Sequence, residues 1–223
     1  MEKKIIVKYE DILRDCLNQV DIKLSDEQVK KMLRYVAEIE LFNNKYKLVG
    51  AKNEEIITKH IMDSLVAVKE IEKHITSDSV ICDVGSGAGL PGIPLAIYFE
   101  NNNFTLIERM GRRVNFLNNA IVALKLNDRV TIVDKDLKDV NQIYDLVTFR
   151  AFHPLFDIID YIDKITNNDS VVVTYKARKD SVDAELKMVE EECSSKWISE
   201  YVDLYVPFID APRMLCLLRK ATN

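Results

Sequence analysis

The sequence predicts an α/β protein. A mostly parallel, Rossmann-like sheet ends in an antiparallel hairpin and is preceded by an N-terminal helical extension. Three observations carry this expectation. From residue 79 onward, short apolar runs alternate with amphipathic ones. The last two apolar runs follow one another with no helix between them. Four of the six glycines fall between residues 85 and 92, where a strand would turn into a helix.

Residues 1–78 form the predicted helical extension, packed on the core. Asp11 to Val20 gives a short amphipathic segment. Ser25-Asp26-Glu27-Gln28 has capping-box spacing, and Val29, Met32, Leu33, Val36, Ile39 and Phe42 then recur at helical intervals. Asn53-Glu54-Glu55 opens a further helix with Ile56, Ile57, Ile61, Leu65, Val68 and Ile71 on its apolar face. Residues 79–223 form the second domain. Its strand-like runs are 79–84, 104–108, 129–134, 145–149 and 170–176, and its helical runs are 91–99, 111–125, 154–165 and 178–193. The hairpin joins 197–208 to 213–220 through a turn at Asp210-Ala211-Pro212.

Composition excludes several classes. The 223 residues are 48% hydrophobic and 30% charged, a balance for one compact domain with an extension. No apolar run approaches the ~18 residues of a membrane span, and Met1 to Glu10 lacks the apolar core of a signal peptide. A cytoplasmic protein with no membrane partner is expected. Cys16, Cys82, Cys193 and Cys216 lie far apart without a CxxC pair and read as reduced, buried thiols. His60, His74 and His153 bring no paired ligands, so no metal site is expected. Net charge is −5, but residues 180–203 alone contribute −6. In the near-neutral remainder, Lys45, Lys47, Lys52 and Lys59 face only Glu54 and Glu55. Arg109, Arg112 and Arg113 follow one strand, Arg150 another, and Lys176, Arg178 and Lys179 a third. This is compatible with a phosphate-binding face, although ordinary solvated charges would look the same.

The glycine run can be read in two registers. Gly87-Ala88-Gly89-Leu90-Pro91-Gly92 is a literal GxGxxG, the dinucleotide fingerprint. That register starts late, because the strand already ends at Asp83. Read from the acid, the run is Asp83-x-Gly85-x-Gly87-x-Gly89, the form used by S-adenosylmethionine enzymes. S-adenosylmethionine has no pyrophosphate to seat on a helix N-terminus. An acid at the strand end can orient its ammonium while loop amides hold its carboxylate. Glu108 closes the next strand, where an acid pairs with both ribose hydroxyls of an adenosine cofactor. Asp136-Leu137 lies just past the third strand, where S-adenosylmethionine enzymes of this kind usually hold the adenine edge. A parallel sheet finished by an antiparallel hairpin resembles the class I S-adenosylmethionine-dependent methyltransferases. An NAD dehydrogenase would carry its pattern through in parallel.

The end of the fourth strand is the usual place for acceptor chemistry. Thr148-Phe149-Arg150-Ala151 lacks the (N/D)-P-P-(Y/F) of adenine amino-methylation, and no cysteine is placed to attack cytosine. His153 is a candidate base or an ordinary loop histidine. An acceptor that needs no deprotonation fits this lack. Guanine N7, with its in-plane lone pair, would require mainly proximity and alignment. Arg150 is the candidate catalytic residue, a cation for guanine O6; the competing reading is a structural salt bridge.

Longer strings carry a family resemblance. They are Lys59-His60-Ile61-Met62-Asp63-Ser64-Leu65, the run Asp83 to Pro94, Arg112-Arg113-Val114-Asn115-Phe116-Leu117, and Tyr144 to Ala151. Over nearly its whole length the chain resembles the glucose-inhibited division protein B (RsmG) family, bacterial 16S rRNA 7-methylguanosine methyltransferases. The resemblance implies that Gly85 and Leu90 line an S-adenosylmethionine pocket and that Arg150 faces the cofactor or the target base. It implies a guanine in the 530 loop of 16S rRNA as acceptor, within the 30S subunit or its precursor. Cofactor contacts are thus expected from Asp83, Gly85, Gly87, Gly89, Leu90, Glu108, Asp136, Leu137, Lys138 and Arg150. His60, Asp63, Ser64 and Lys176 are the substrate-side candidates, the first three, on one helical face, reading equally well as helix-to-core hydrogen bonding, and a monomer is expected. Three places depart from the family pattern: Lys47-Leu48-Val49 for N-L-T, Asp136-Leu137-Lys138 for arginine, small residue and glutamate, and Ala177 for the glycine after Lys176. A small-molecule methyltransferase and a non-catalytic, cofactor-binding ribosome-associated module are the alternative readings.

Overall fold

A computed structural model describes the backbone of residues 2–221 and the side chains of residues 7–221. Its centre is a seven-stranded sheet. The strands in chain order are β1 (Val80–Val84), β2 (Asn103–Ile107), β3 (Val130–Val133), β4 (Leu146–Arg150), β5 (Val171–Lys176), β6 (Trp197–Leu204) and β7 (Arg213–Lys220). In space they run β3-β2-β1-β4-β5-β7-β6. The first five are parallel, while β7 lies antiparallel to both β5 and β6. The hairpin is therefore the one expected, with its second strand inserted against β5. Strand β6 stops at Leu204, short of the predicted 208, because the connection carries Phe208 at φ 63.

The central strands are buried on both faces, and their period-2 alternation sorts side chains into two apolar clusters. Ile81, Leu146, Val173 and Leu217 join one cluster. Their chain neighbours Cys82, Val147, Val172 and Leu218 join the other. Helices α6 (Gly92–Tyr98) and α7 (Gly111–Ala123) cover the first face; α8 (Leu155–Lys164) and α9 (Lys179–Glu192) cover the second.

The N-terminal helices share the first cluster. Helix α1 spans Glu2–Gln19, starting earlier than its apolar pattern suggested, and α2 spans Asp26–Tyr46. Ser25 caps α2 with a full capping box: its Oγ accepts from the Gln28 amide at 3.2 Å, and Gln28 Oε1 accepts from the Ser25 amide at 2.8 Å. Gln28 also donates to the carbonyls of Ile97 and Tyr98 at the end of α6, at 3.0 and 3.1 Å. Tyr35, fully buried on the same helix, donates its hydroxyl to the carbonyl of Ala88 in the glycine loop.

The helix expected after Asn53 is interrupted. It comprises α3 (Glu54–Ile56), a π-helical turn (Ile57–Ile61), α4 (Met62–Leu65), α5 (Val68–Ile71) and a 3₁₀ turn (Glu72–His74). In the π turn the Met62 amide donates to the carbonyl of Ile57, five residues back. The wider turn places the adjacent pairs Ile56–Ile57 and Ile61–Met62 all in the core, which a regular α-helix would not do. Cys16, Cys82 and Cys216 are buried and Cys193 half-buried, all free. Burial pushes the Cys16 thiol up to about 11 and that of Cys216 to about 12. Among the described residues no helix is long and apolar enough to cross a membrane.

Candidate active site

The strand order reverses at β1, whose neighbours are β2 and β4. In an open α/β sheet the crevice at such a point, at the carboxyl ends of the strands, is the natural ligand site. The glycine loop after β1, Arg150 at the end of β4 and Lys176 at the end of β5 all meet there. They line one open cavity of about 750 Å³.

The loop turns by left-handed residues. Gly85, Gly87 and Gly89 have φ of 67°, 59° and 87°. The amides of Gly85 and Ser86 both donate to the carbonyl of Ile107, at 2.9 and 3.1 Å, which ties the loop to the end of β2. At Gly85 a Cβ would violate φ and would also stand 2.1 Å from the ring of Phe152, which would have to move. At Gly87 a Cβ would meet nothing nearer than 3.7 Å, so only φ demands glycine. Pro91, expected in the first turn of the helix, precedes it as the cap, and α6 begins at Gly92.

The acids lie behind and beside this loop. Asp83 does not line the cavity, where an open strand-end carboxylate was expected. It is wholly buried, and its Oδ2 accepts from the Gly92 amide at 2.9 Å. Its Oδ1 has no partner. Burial raises the Asp83 carboxyl to about 7, against the opposing pull of the Gly92 amide and the Arg150 cation. Glu108 is also buried. Its Oε2 accepts from the Gly87 amide at 2.9 Å and its Oε1 from the Met110 amide at 2.8 Å. Arg113 Nη1 stands 3.7 Å from the same carboxylate, and Arg113 Nε is buried without an acceptor.

Asp136, Leu137 and Lys138 stand outside the cavity lining, past the end of β3. Asp136 caps a 3₁₀ turn (Leu137–Asp139) by accepting from the Lys138 amide at 3.3 Å. Arg109 Nε lies 3.6 Å from its carboxylate, Leu137 is buried and Lys138 exposed. Gly89 is likewise off the lining, packed on Ile93, whereas Leu90 reaches it.

On the other side, Arg150 is held by an ion pair. Its Nη1 lies 2.6 Å from Asp63 Oδ2 and 3.5 Å from the carbonyl of His60, and its Nη2 lies 3.5 Å from His60 Nδ1. The second oxygen of Asp63 accepts from Arg213 Nε at 3.0 Å. Two guanidinium groups thus share one carboxylate and leave a net positive charge. Burial, then the Arg150 charge, push the His60 imidazole down to about 4. Ser64, expected on the substrate side, does not reach the cavity. It is fully buried, its hydroxyl donates to the His60 carbonyl at 2.8 Å, and its own carbonyl accepts from the Tyr175 hydroxyl at 2.8 Å. Lys176 lies 2.8 Å from Glu185 Oε2, the same oxygen that accepts the Leu155 amide at the start of α8. His153 sits exposed at the lip, edge-on to Phe152 with ring centroids 4.5 Å apart.

Sequence reasoning missed Arg213, Glu185, Phe152 and Tyr35. Arg213 lies 150 residues from Asp63, and no local spacing joins them. The sequence marks Arg113 only within a basic cluster and the Arg112–Leu117 string, with no role at the glycine loop.

Comparison with known proteins follows this geometry. A family model described as rRNA small subunit methyltransferase G matches residues 28–213. A protein of Actinobacillus pleuropneumoniae serotype 3 named ribosomal RNA small subunit methyltransferase G is 32% identical over 205 residues, covering 92% of this chain and 95% of that one. One of the same name from Francisella tularensis subsp. novicida is 30% identical over 211 residues, covering 94% and 97%. Among solved structures, a precorrin-6y C5,15-methyltransferase from Geobacter metallireducens superposes with a TM-score of 0.51 at 18% identity, covering 78% of this chain and 91% of that one. An O-methyltransferase from Klebsiella pneumoniae superposes with a TM-score of 0.56 at 10% identity, covering 84% and 90%. These structures share the class I S-adenosylmethionine-dependent methyltransferase fold, and the sequence matches go further: the chain belongs to the rRNA small subunit methyltransferase G family.

Proposed function

We propose that the chain transfers the methyl group of S-adenosylmethionine to N7 of a guanine in the 530 loop of bacterial 16S rRNA. One observation carries this reading. The glycine loop and a wall of guanidinium and ammonium groups share a cavity whose carboxylates, Asp63 and Glu185, are both tied in ion pairs. His60, held near 4, stays neutral and weakly basic at neutral pH. Apart from His153, exposed at the lip, the lining offers no free base, so an acceptor that must lose a proton is poorly served there, whereas guanine N7 has a lone pair ready. Membership of a family whose relatives are named for small-subunit rRNA supports the substrate.

The loop side fits the cofactor. Asp83 Oδ1 and Arg113 Nε are buried polar atoms without partners, and Gly85 presents bare backbone that only the half-exposed Phe152 ring covers. Bound there, S-adenosylmethionine supplies an electrophilic methyl group on its sulfonium. Asp83 Oδ1 would accept from an ammonium once the loop in front of it gives way, while the amides of Gly85, Ser86, Gly87, Gly89 and Leu90 already have acceptors within the protein. Each Glu108 oxygen, engaged by one backbone amide, keeps a second lone-pair direction for a ribose hydroxyl. Leu90 would form an apolar wall, and Asp136 to Lys138, past the end of β3 and outside the cavity lining, would meet the adenine edge only where the cofactor extends beyond the cavity. Arg150, fixed by Asp63, has N–H groups left for guanine O6. The chain's contribution is alignment of acceptor and methyl donor.

A deep, closed, uncharged pocket would favour a small-molecule acceptor. Here Lys59, Arg113, Arg150, Lys176 and Arg213 stand on the walls of an open one, which favours a polyanion. The reading entails a monomeric cytoplasmic enzyme acting on the 30S subunit or its precursor. Labelled S-adenosylmethionine and 30S subunits lacking the modification test it. Label appearing as 7-methylguanosine in the 530 loop is the expected result. Absence of transfer to subunit, precursor and free 16S rRNA would overturn it.

A further inference from the structure

We propose that Phe152 is the aromatic surface on which the acceptor base stacks, a deepening that rests on the nucleic-acid reading above. Three aromatic carbocycles line the cavity: Phe149, Phe152 and Tyr175. Phe149 is 1% and Tyr175 7% exposed, and the Tyr175 hydroxyl is fixed on the carbonyl of Ser64. Phe152 alone of the three is half-buried, with part of its ring facing the cavity. It is two residues beyond Arg150, so a flat apolar face and a guanidinium stand on one short loop. A base brought out of its own stack is held in just this way, between a ring face and hydrogen-bond donors at its edge.

The ring also occupies space that a ligand on the glycine loop would need. It lies directly on Gly85, so close that its Cδ2 would stand 2.1 Å from a Cβ there. A ligand lying against Gly85 needs the same space. Ala151, just before the ring, holds a left-handed φ of 49°, a strained conformation for a residue with a Cβ. Backbone strain at this point marks the segment as one whose pose is set by its surroundings. A cofactor seated on Gly85 would need the ring to swing aside, and on the acceptor side of the cavity the ring would meet the base.

The full chain carrying Phe152→Leu, which keeps apolar bulk and removes the π face, is compared with Phe152→Tyr, which keeps both. The proposal expects Phe152→Leu to lower kcat/KM on 30S subunits about ten- to hundredfold while S-adenosylhomocysteine affinity by calorimetry stays within about twofold. Phe152→Tyr should stay near the parent on both. A Phe152→Leu variant with parental kcat/KM overturns the proposal, as does equal loss of cofactor binding. A second measurement is independent of turnover. In a Trp197→Phe background, Phe152→Trp places the only indole on the loop. Its fluorescence should be quenched by a guanine-containing single-stranded RNA when S-adenosylhomocysteine is present, and less without it. No quenching in either state overturns the proposal. Should the parent protein methylate no ribosomal substrate, the rRNA reading falls while the quenching result still decides the role of the ring.

Discussion

Arg150 and Asp63, 87 residues apart in the chain, meet through a 2.6 Å contact at the floor of the cavity, with side chains only 14% and 9% exposed. The pair joins the end of β4 to the helix that follows the π turn. Because the other oxygen of Asp63 holds Arg213, this carboxylate fixes two cations at once. Removing it leaves both uncompensated. Asp63→Asn is expected to destabilise the fold by about 3 kcal/mol, the low end for a broken buried pair because Arg213 is 29% exposed. For a chain of this size that is roughly 6–12 °C in Tm. Methyl transfer at a temperature where the variant is folded should fall as well, through a raised KM.

The three left-handed glycines should respond to alanine in a fixed order. Gly87→Ala adds only the φ penalty, about 1 kcal/mol, because its Cβ would stand 3.7 Å from the nearest atom. Gly85→Ala meets a half-exposed ring that can give way. Gly89→Ala meets Ile93 Cδ1 at 2.5 Å, a fully buried neighbour with nowhere to go. Urea denaturation should rank Gly89→Ala as most costly and Gly87→Ala as least. Calorimetry should show Gly85→Ala losing S-adenosylhomocysteine binding beyond its stability loss.

Asp83 gives a pH dependence of defined sign. Its carboxyl is raised from 3.8 unfolded to about 7 folded, so between those values the native state holds a proton that the unfolded state has released. Its contribution to stability is complete below the unfolded value and is lost as pH rises through about 7. Asp83→Asn keeps an acceptor for the Gly92 amide and cannot titrate. Stability curves from pH 4 to 8 should therefore converge or cross, the parent losing stability relative to the variant as pH rises. A constant difference across the range would refute the assignment.

Tyr35→Phe removes a buried hydroxyl and leaves the Ala88 carbonyl without its donor. The expected cost is about 1–3 kcal/mol, with weaker S-adenosylhomocysteine binding because the glycine loop loses a tie from α2. A variant with parental stability and affinity would show the contact to be idle.

The strands and the hairpin were legible because their signals are local. Apolar runs such as Val171 to Val173 can be nothing but buried strand, and two strands without an intervening helix must return antiparallel. The capping box at Ser25 was legible for the same reason. The π turn was not, since the run from Ile56 to Met62 satisfies helical periodicity until its adjacent pairs must both be buried. At the site, the glycine loop and Arg150 were readable from composition and strand ends. Asp63 was placed near them only by resemblance, and its second partner, Arg213, depends on β7 being inserted beside β5. Asp83 reads as the acid that ends the strand, but β1 runs on to Val84, and the depth of the carboxylate behind the loop follows from the Gly92 amide that claims it. Ser64 lies next to Asp63 in sequence but turns to the core, where the His60 carbonyl and Tyr175 occupy it.

Helix α6 has seven residues, too short to persist alone. Helix α2 grips it at both ends, Tyr35 on the loop that leads in and Gln28 on the carbonyls that lead out. Amide hydrogen exchange should therefore find α2 and α6 opening as one cooperative unit. A ligand seated on the glycine loop would then slow exchange in α2, a helix it never touches, and a fragment beginning at β1 would lose the clamp that gives the loop its shape.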